Sequence, residues 1–169
     1  VDVAPYRDAD ALLHVVRAFR DESVPHSSES VNPGRDVRVM EDELILADLA
    51  VAERRLERLR KELHKRPSKE LKAELELLST CSHALEQGTP LRSLDLEPAA
   101  GKLLRGFQFL SAKPVLLVLN VDESEASDTM ETAVHRALLD DAIVGPAIRS
   151  VTVCAKIELE ITALDPKDA

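Results

Sequence analysis

The sequence predicts an α/β fold, a partial doubly wound parallel sheet with an antiparallel coiled-coil hairpin inserted into it. Three observations predict it. Val115–Leu119 is a short, branched, non-alternating apolar run that ends in the polar turn Asn120-Val121-Asp122-Glu123. That suits a parallel strand covered on both faces. Ile45, Leu49, Ala52, Leu56, Leu59 and Leu63 recur at alternating steps of four and three, a heptad seam. Strand-like and helix-like segments alternate along the rest of the chain, the pattern of a parallel sheet.

Taken in order, Val1–Ala4 reads as the end of a strand and Ala11–Phe19 as a strand with one buried side. Asp21–Gly34 is a polar loop holding Ser27, Ser28, Ser30 and Asn32, and Asp36 is the expected cap of the helix that follows. That helix spans about Val37–Lys65. Arg66-Pro67-Ser68 breaks it, because a proline disfavours a helical residue before it. A second helix over about Lys69–Gln87 continues the seam with Leu71, Leu75, Leu78 and Leu85, and Ser82 fills the remaining slot. Gly88 and Pro90 end it. A short connection between facing seams predicts that the two fold back on each other. Glu97–Leu110 reads as a helix with Leu103, Leu104, Phe107 and Leu110 inward. Asp128–Asp141 reads as another, with Met130, Val134, Ala137 and Leu138 inward. Ser150–Cys154 reads as a last short strand followed by a helix start. The expected divisions are 1–36, the arm 37–90, and 91–169.

Composition bounds the function classes. The chain is 44% hydrophobic and 31% charged, as globular chains are. Its formal net charge of −9 argues against broad, nonspecific phosphate binding by the whole surface. Sequence-specific DNA is therefore not an expected partner. Cys81 and Cys154 lie far apart and give neither a disulfide framework nor metal-ligand spacing. No apolar run approaches the ~20 residues that span a bilayer. No leader pattern opens the chain, so a cytoplasmic setting is expected and no membrane partner. The break between the two long helices is different from the rest. Arg60, Lys61, His64, Lys65, Arg66 and Lys69 concentrate positive charge on an acidic protein. They make either a solvated tip or a contact to phosphate.

The chemistry-bearing residues gather after the expected strands. Ligands in open α/β sheets bind beyond the carboxyl ends of the strands. Asn120 offers a donor and an acceptor there, a match to the edge of a purine. Asn in a turn after a strand is also ordinary turn chemistry. G-type nucleotide-binding proteins place Asn-Lys-x-Asp at this point, and the Asp accepts from two donors of guanine. Here the tetrad is Asn-x-x-Glu, with Val121 in the place of Lys. The guanine lock is altered, and adenine fits better.

Longer stretches carry a resemblance. Val1-Asp2-Val3-Ala4, Asp10–Phe19, Val31-Asn32-Pro33 with Arg35-Asp36, and Glu43–Leu49 are among them. Arg92–Leu96, Leu110–Pro114, Asn120–Glu123 and Cys154-Ala155-Lys156 continue the pattern. Together they resemble the Obg-like ATPases of the YchF type, translation-factor-related P-loop nucleotide hydrolases. The resemblance implies the second half of a G domain plus its coiled-coil arm. It implies ATP with Mg²⁺, and the ribosome, by its large subunit, as partner of the longer protein. It implies that Asn120 bonds adenine, that Val121 packs beside the base, and that Glu123 replaces the guanine-selecting Asp. Cys154 and Ala155 would cover the base, Asp2 would touch Mg²⁺ through water, and His26 would position the attacking water.

Each residue has a plainer reading. His26 is a loop histidine, His14 a packed core histidine, Cys154 a small buried residue and Asp2 an exposed terminal acid. The pattern also departs from the family. No Gly-x-x-x-x-Gly-Lys-Ser/Thr loop occurs, and the chain has only five glycines. Pro5 stands where a Gly is expected. Phosphoryl transfer rests on that loop, its Lys and Mg²⁺, so the chain alone is expected to be inactive. Two rivals remain. One is a GTPase of the same fold, and the other a non-catalytic module that binds through the arm.

Overall fold

The computed structural model describes residues 3–26, 28, 30–137 and 148–164. Two compact units share them. One comprises residues up to 10 together with 39–114, and the other 11–38 with 115 onward. Residues 91–114 thus group with the helical hairpin, whereas the sequence pattern set 91–169 together.

The second unit holds a parallel sheet of β1 (Leu12–Arg17), β2 (Val115–Asn120) and β3 (Ile148–Val153), in that order. The register pairs Val16 with Leu119 and Leu119 with Thr152. Val16, Leu117 and Leu119 point to one face. There they meet Val37, Val121, Ala133, Ala137 and Cys154 in a core completed by Ile157 of α5 (Ala155–Thr162). The expectation of a strand covered on both faces is corrected. Leu13, Val15, Leu116 and Val151, on the other face, are all more than a third exposed. His14 lies on the core face, half-buried, and burial lowers its pKa against the pull of Asp36. α4 covers Met130–Arg136 with Ala133 buried, and Leu138 of the expected helix falls outside the described residues.

The first unit is built on α2 (Lys69–Glu86) and on α1 (Pro33–Lys65) from Val39 onward, the first residues of α1 belonging to the second unit. α1 begins four residues earlier than expected, and Asn32 caps it, accepting the Arg35 N–H at 3.0 Å. Pro33 at the first helical position has no N–H to lose there. Asp36 lies inside the helix instead. The seam packs as expected: Ile45, Ala52, Leu56 and Leu59 share one core with Leu78 and Leu85. Both Cys81 and Ser82 are buried where Ser82 alone was expected. Arg55 bridges the helices to Glu74 at 2.7 Å. Ser68 caps α2 through the Leu71 N–H, and Gly88 (φ +71°) turns the chain out of it.

α3 is shorter than expected, Pro98–Arg105. The chain then turns through Gly106 and Gln108, whose φ is +53°. Leu110 therefore reaches the core from the following loop, and Leu103 is exposed. Ala4–Tyr6 forms a 3-10 turn, and Val1 and Asp2 of the expected strand end fall outside the described residues. Asp48 of α1 is fully buried and holds this unit together. Its carboxylate accepts the N–H groups of Leu110 (3.0 Å) and Ser111 (2.7 Å) and pairs with Arg7 at 3.2 Å.

Candidate nucleotide-base site

Asn120 is the last residue of β2, the central strand, so its side chain projects from the carboxyl edge of the sheet. The strand ladder continues past it. Ala18 donates to the Asn120 carbonyl at 2.8 Å, and Val121 donates to the Val153 carbonyl at 2.9 Å. These bonds bring together the loops that follow all three strands. The Asn120 Oδ1 then accepts the Ala155 N–H at 3.0 Å. One side chain so ties the loop after β2 to the start of α5. Its amide NH₂ has no partner among the described residues and is left as a donor.

A cavity of about 390 Å³ opens here, lined by Asn120, Val121, Glu123, Cys154 and Ala155 with Phe19 across from them. Ligand pockets of this scale take a nucleoside-sized molecule. A second cavity of about 450 Å³ shares Phe19, Arg20, Val121 and Asp122 with it. The loop after β1 is shaped by Arg17. Its guanidinium donates to the carbonyls of Phe19, Asp21 and Val24, at 3.2, 2.8 and 2.8 Å. It also lies 4.6 Å from the Phe19 ring centre, a cation–π contact. Asp122 holds the turn after β2 by accepting the Ser124 N–H (3.1 Å) and hydroxyl (3.0 Å), and these bonds hold its carboxyl below its ordinary range.

Two pairings were not visible in the sequence. Lys156 reaches Glu123 at 2.9 Å, and that bond raises the Lys156 pKa. The residue at the guanine-selecting position therefore already holds an ammonium. His26 is the other. Its Nδ1 accepts the Ser28 N–H at 3.0 Å, which leaves the proton on Nε2, 3.2 Å from the Asp36 carboxylate. The imidazole is oriented by Asp36 and lines neither cavity. The structure thus brings Asn120, Val121, Glu123, Cys154 and Ala155 to one place and leaves His26 apart from it. Asp2 lies outside the described residues. No three His, Cys, Asp or Glu side chains among the described residues converge as a metal ligand set. These residues do not by themselves fit a Mg²⁺ ion.

A parallel sheet with polar loops gathered at its carboxyl edge defines an α/β nucleotide-binding fold of the G-domain kind. The solved structure of the Schizosaccharomyces pombe YchF GTPase superposes on 96% of this chain and 44% of that one, with TM-score 0.78 and 25% identity. Among sequences, the Ribosome-binding ATPase YchF of Bacillus subtilis is 37% identical over 162 residues, 96% of this chain and 44% of the relative. The Escherichia coli O157:H7 protein of that name is 35% identical over 164 residues, 96% and 43%. Obg-like ATPase 1 of Oryza sativa subsp. indica is 36% identical over 119 residues, 70% and 30%. No protein-family profile matches the chain. Over 96% of its length the chain is homologous to the YchF-type Obg-like ATPases. It spans less than half the length of the YchF relatives it matches.

Proposed function

We infer that this chain supplies the base-reading half of an ATP-binding, ATP-hydrolysing, ribosome-associated protein of the YchF type, working in the cytoplasm with Mg²⁺. The observation that carries the reading is the Asn120–Ala155 bond at the mouth of the 390 Å³ cavity. It fixes Asn120 with its amide NH₂ free to donate to a purine N7, an acceptor in both adenine and guanine. Discrimination falls to Glu123. Guanine presents two donors that need a free acceptor, and Glu123 is tied to Lys156. Adenine makes no such demand. Val121, Cys154 and Ala155 flank the base. His26 positions the attacking water when its Asp36 pair opens. The relatives' names divide between ATPase and GTPase, so the base preference is the point to test.

The phosphate cradle is not among these 169 residues, so base contacts alone bind weakly, at about millimolar Kd or ~4 kcal/mol. An ¹⁵N-resolved NMR titration works in that range. ATP shifts the Ala155 N–H and the Asn120 side-chain amide more than equimolar GTP does, and Asn120→Ala removes the response. Equal or larger shifts with GTP favour the GTPase rival. No shift at either group sinks the site. Phosphate release by the chain stays at the level of buffer.

A further inference from the structure

Arg92 carries a buried positive charge that the base site does not use. It lies in the 3-10 turn Leu91–Ser93, and its side chain is 2% exposed. The guanidinium is only partly paired. Nε donates to the Lys113 carbonyl at 2.8 Å, and Nη1 pairs with Glu41 at 2.6 Å. Nη2 has no hydrogen-bond partner among the described residues. A charged donor shut away from water without an acceptor is costly, so an acceptor belongs there.

Arg92 lines a cavity of about 730 Å³ whose wall lies wholly within the first unit and shares no residue with the base cavity. Part of that wall is apolar: Leu91, Leu104 and Phe109 are buried, and Leu94 and Leu96 half-buried. Its charges differ in burial. Lys113 is half-buried, and its Nζ donates to the Ala9 carbonyl at 2.6 Å. A carbonyl takes one of three N–H groups and leaves the charge without a carboxylate partner. Arg105 is exposed and makes no side-chain bond among the described residues. The acids of the wall, Asp8 and Asp10, are exposed too. The groups held out of water are donors, and the acceptors stand in solvent.

We propose that this cavity binds a small monocarboxylate with an apolar body. The carboxylate accepts from Arg92 Nη2 and Lys113 Nζ, and the body lies against the leucines of the wall. Guanidinium and ammonium groups make charge-assisted bonds to a carboxylate, stronger than neutral ones, and the cavity is of the size that holds small ligands. A phosphate dianion fits less well. Glu41 and Asp48 already neutralise Arg92 and Arg7, two of the four cations of the wall, and Asp8 and Asp10 oppose the other two. An amine would leave Nη2 unpaired and meet the Lys113 charge. Gly101 offers a way to close the cavity. It lies on the wall in α3, and a Cβ added there meets no atom within 4 Å. Gly101→Leu therefore enters open space, and it favours the helix.

The test is a ¹⁵N-resolved NMR titration of the chain with 4-methylpentanoate, run beside 3-methylbutylamine and inorganic phosphate. The carboxylate shifts the Arg92 Nε–H and the Leu94 and Gly101 amides along one saturable curve, with a Kd of about 1 mM. It leaves the Ala155 amide at the base cavity unmoved. The amine and phosphate give no saturable shift at these groups. Lys113→Gln keeps its helical circular dichroism and weakens binding at least about tenfold, the loss expected for a charged donor. Gly101→Leu abolishes binding without lowering Tm. Amine or phosphate binding as tight as that of the carboxylate overturns the proposal. So does wild-type affinity in both variants, or no saturable shift with 4-methylpentanoate.

Discussion

Replacing Asp48 by Asn exchanges one carboxylate oxygen for an NH₂ and should cost a substantial part of the fold's margin. The carboxylate is fully buried on α1. Its Oδ2 accepts the Ser111 N–H at 2.7 Å, and its Oδ1 accepts the Leu110 N–H at 3.0 Å and pairs with Arg7 at 3.2 Å. An Asn can keep one oxygen on Leu110. Its NH₂ then faces the Ser111 N–H, donor against donor, with no water to take either. A hydrogen bond to a buried charge contributes about 1.5–3 kcal/mol, and leaving its partner unsatisfied costs a further ~1–3. Arg7 is 22% exposed, so water replaces part of what it loses. The sum is about 3–4 kcal/mol against a total stability of ~5–15. For a chain of this length that is a fall of roughly 6–15 °C in Tm. Thermal melts followed by helical circular dichroism read it directly, since α1 and α2 lie in the unit that Asp48 holds. Arg7→Ala should cost less than half as much. A fall under about 2 °C for Asp48→Asn would refute the view that this carboxylate organises the unit.

Two further outcomes follow from the same unit. Burial pushes the Cys81 thiol up from its ordinary value to about 11. The folded state therefore holds the proton more tightly than the unfolded state. Stability is full below pH ~9 and falls as pH rises toward 11, by about 2 kcal/mol in all, and urea melts of Cys81→Ala should lack that fall. Gly88 adopts φ +71° with open space around it, so Gly88→Ala meets no neighbour and costs only the left-handed backbone, about 1 kcal/mol or a few degrees in Tm.

What could be read in the sequence is what neighbours along the chain decide. The α1–α2 seam and the strand Val115–Asn120 are set by periodicity alone, because their apolar residues lie within a few turns or pleats of one another. The Asn32 cap is equally local, signalled by proline at the next position, whereas Asp36 is only the acid nearest the first apolar residue. Other contacts have no local signal. In sequence Asp48 is an acid on a helix, and it becomes a buried clamp only because residues 110 and 111 arrive from more than sixty positions away. Lys156 joins Glu123 across 33 positions, and His26 joins Asp36 across ten. Those last two pairings change the chemistry. The motif Asn-x-x-Glu alone says only that the guanine-selecting acid is longer by one methylene. The structure adds that this acid is already bound to a lysine at the start of the next helix. A base that needs a free carboxylate must first displace that lysine, and one that does not need it enters without the exchange. On the proposed reading, the site's selectivity would therefore depend on Lys156, a residue outside the Asn-x-x-Glu tetrad.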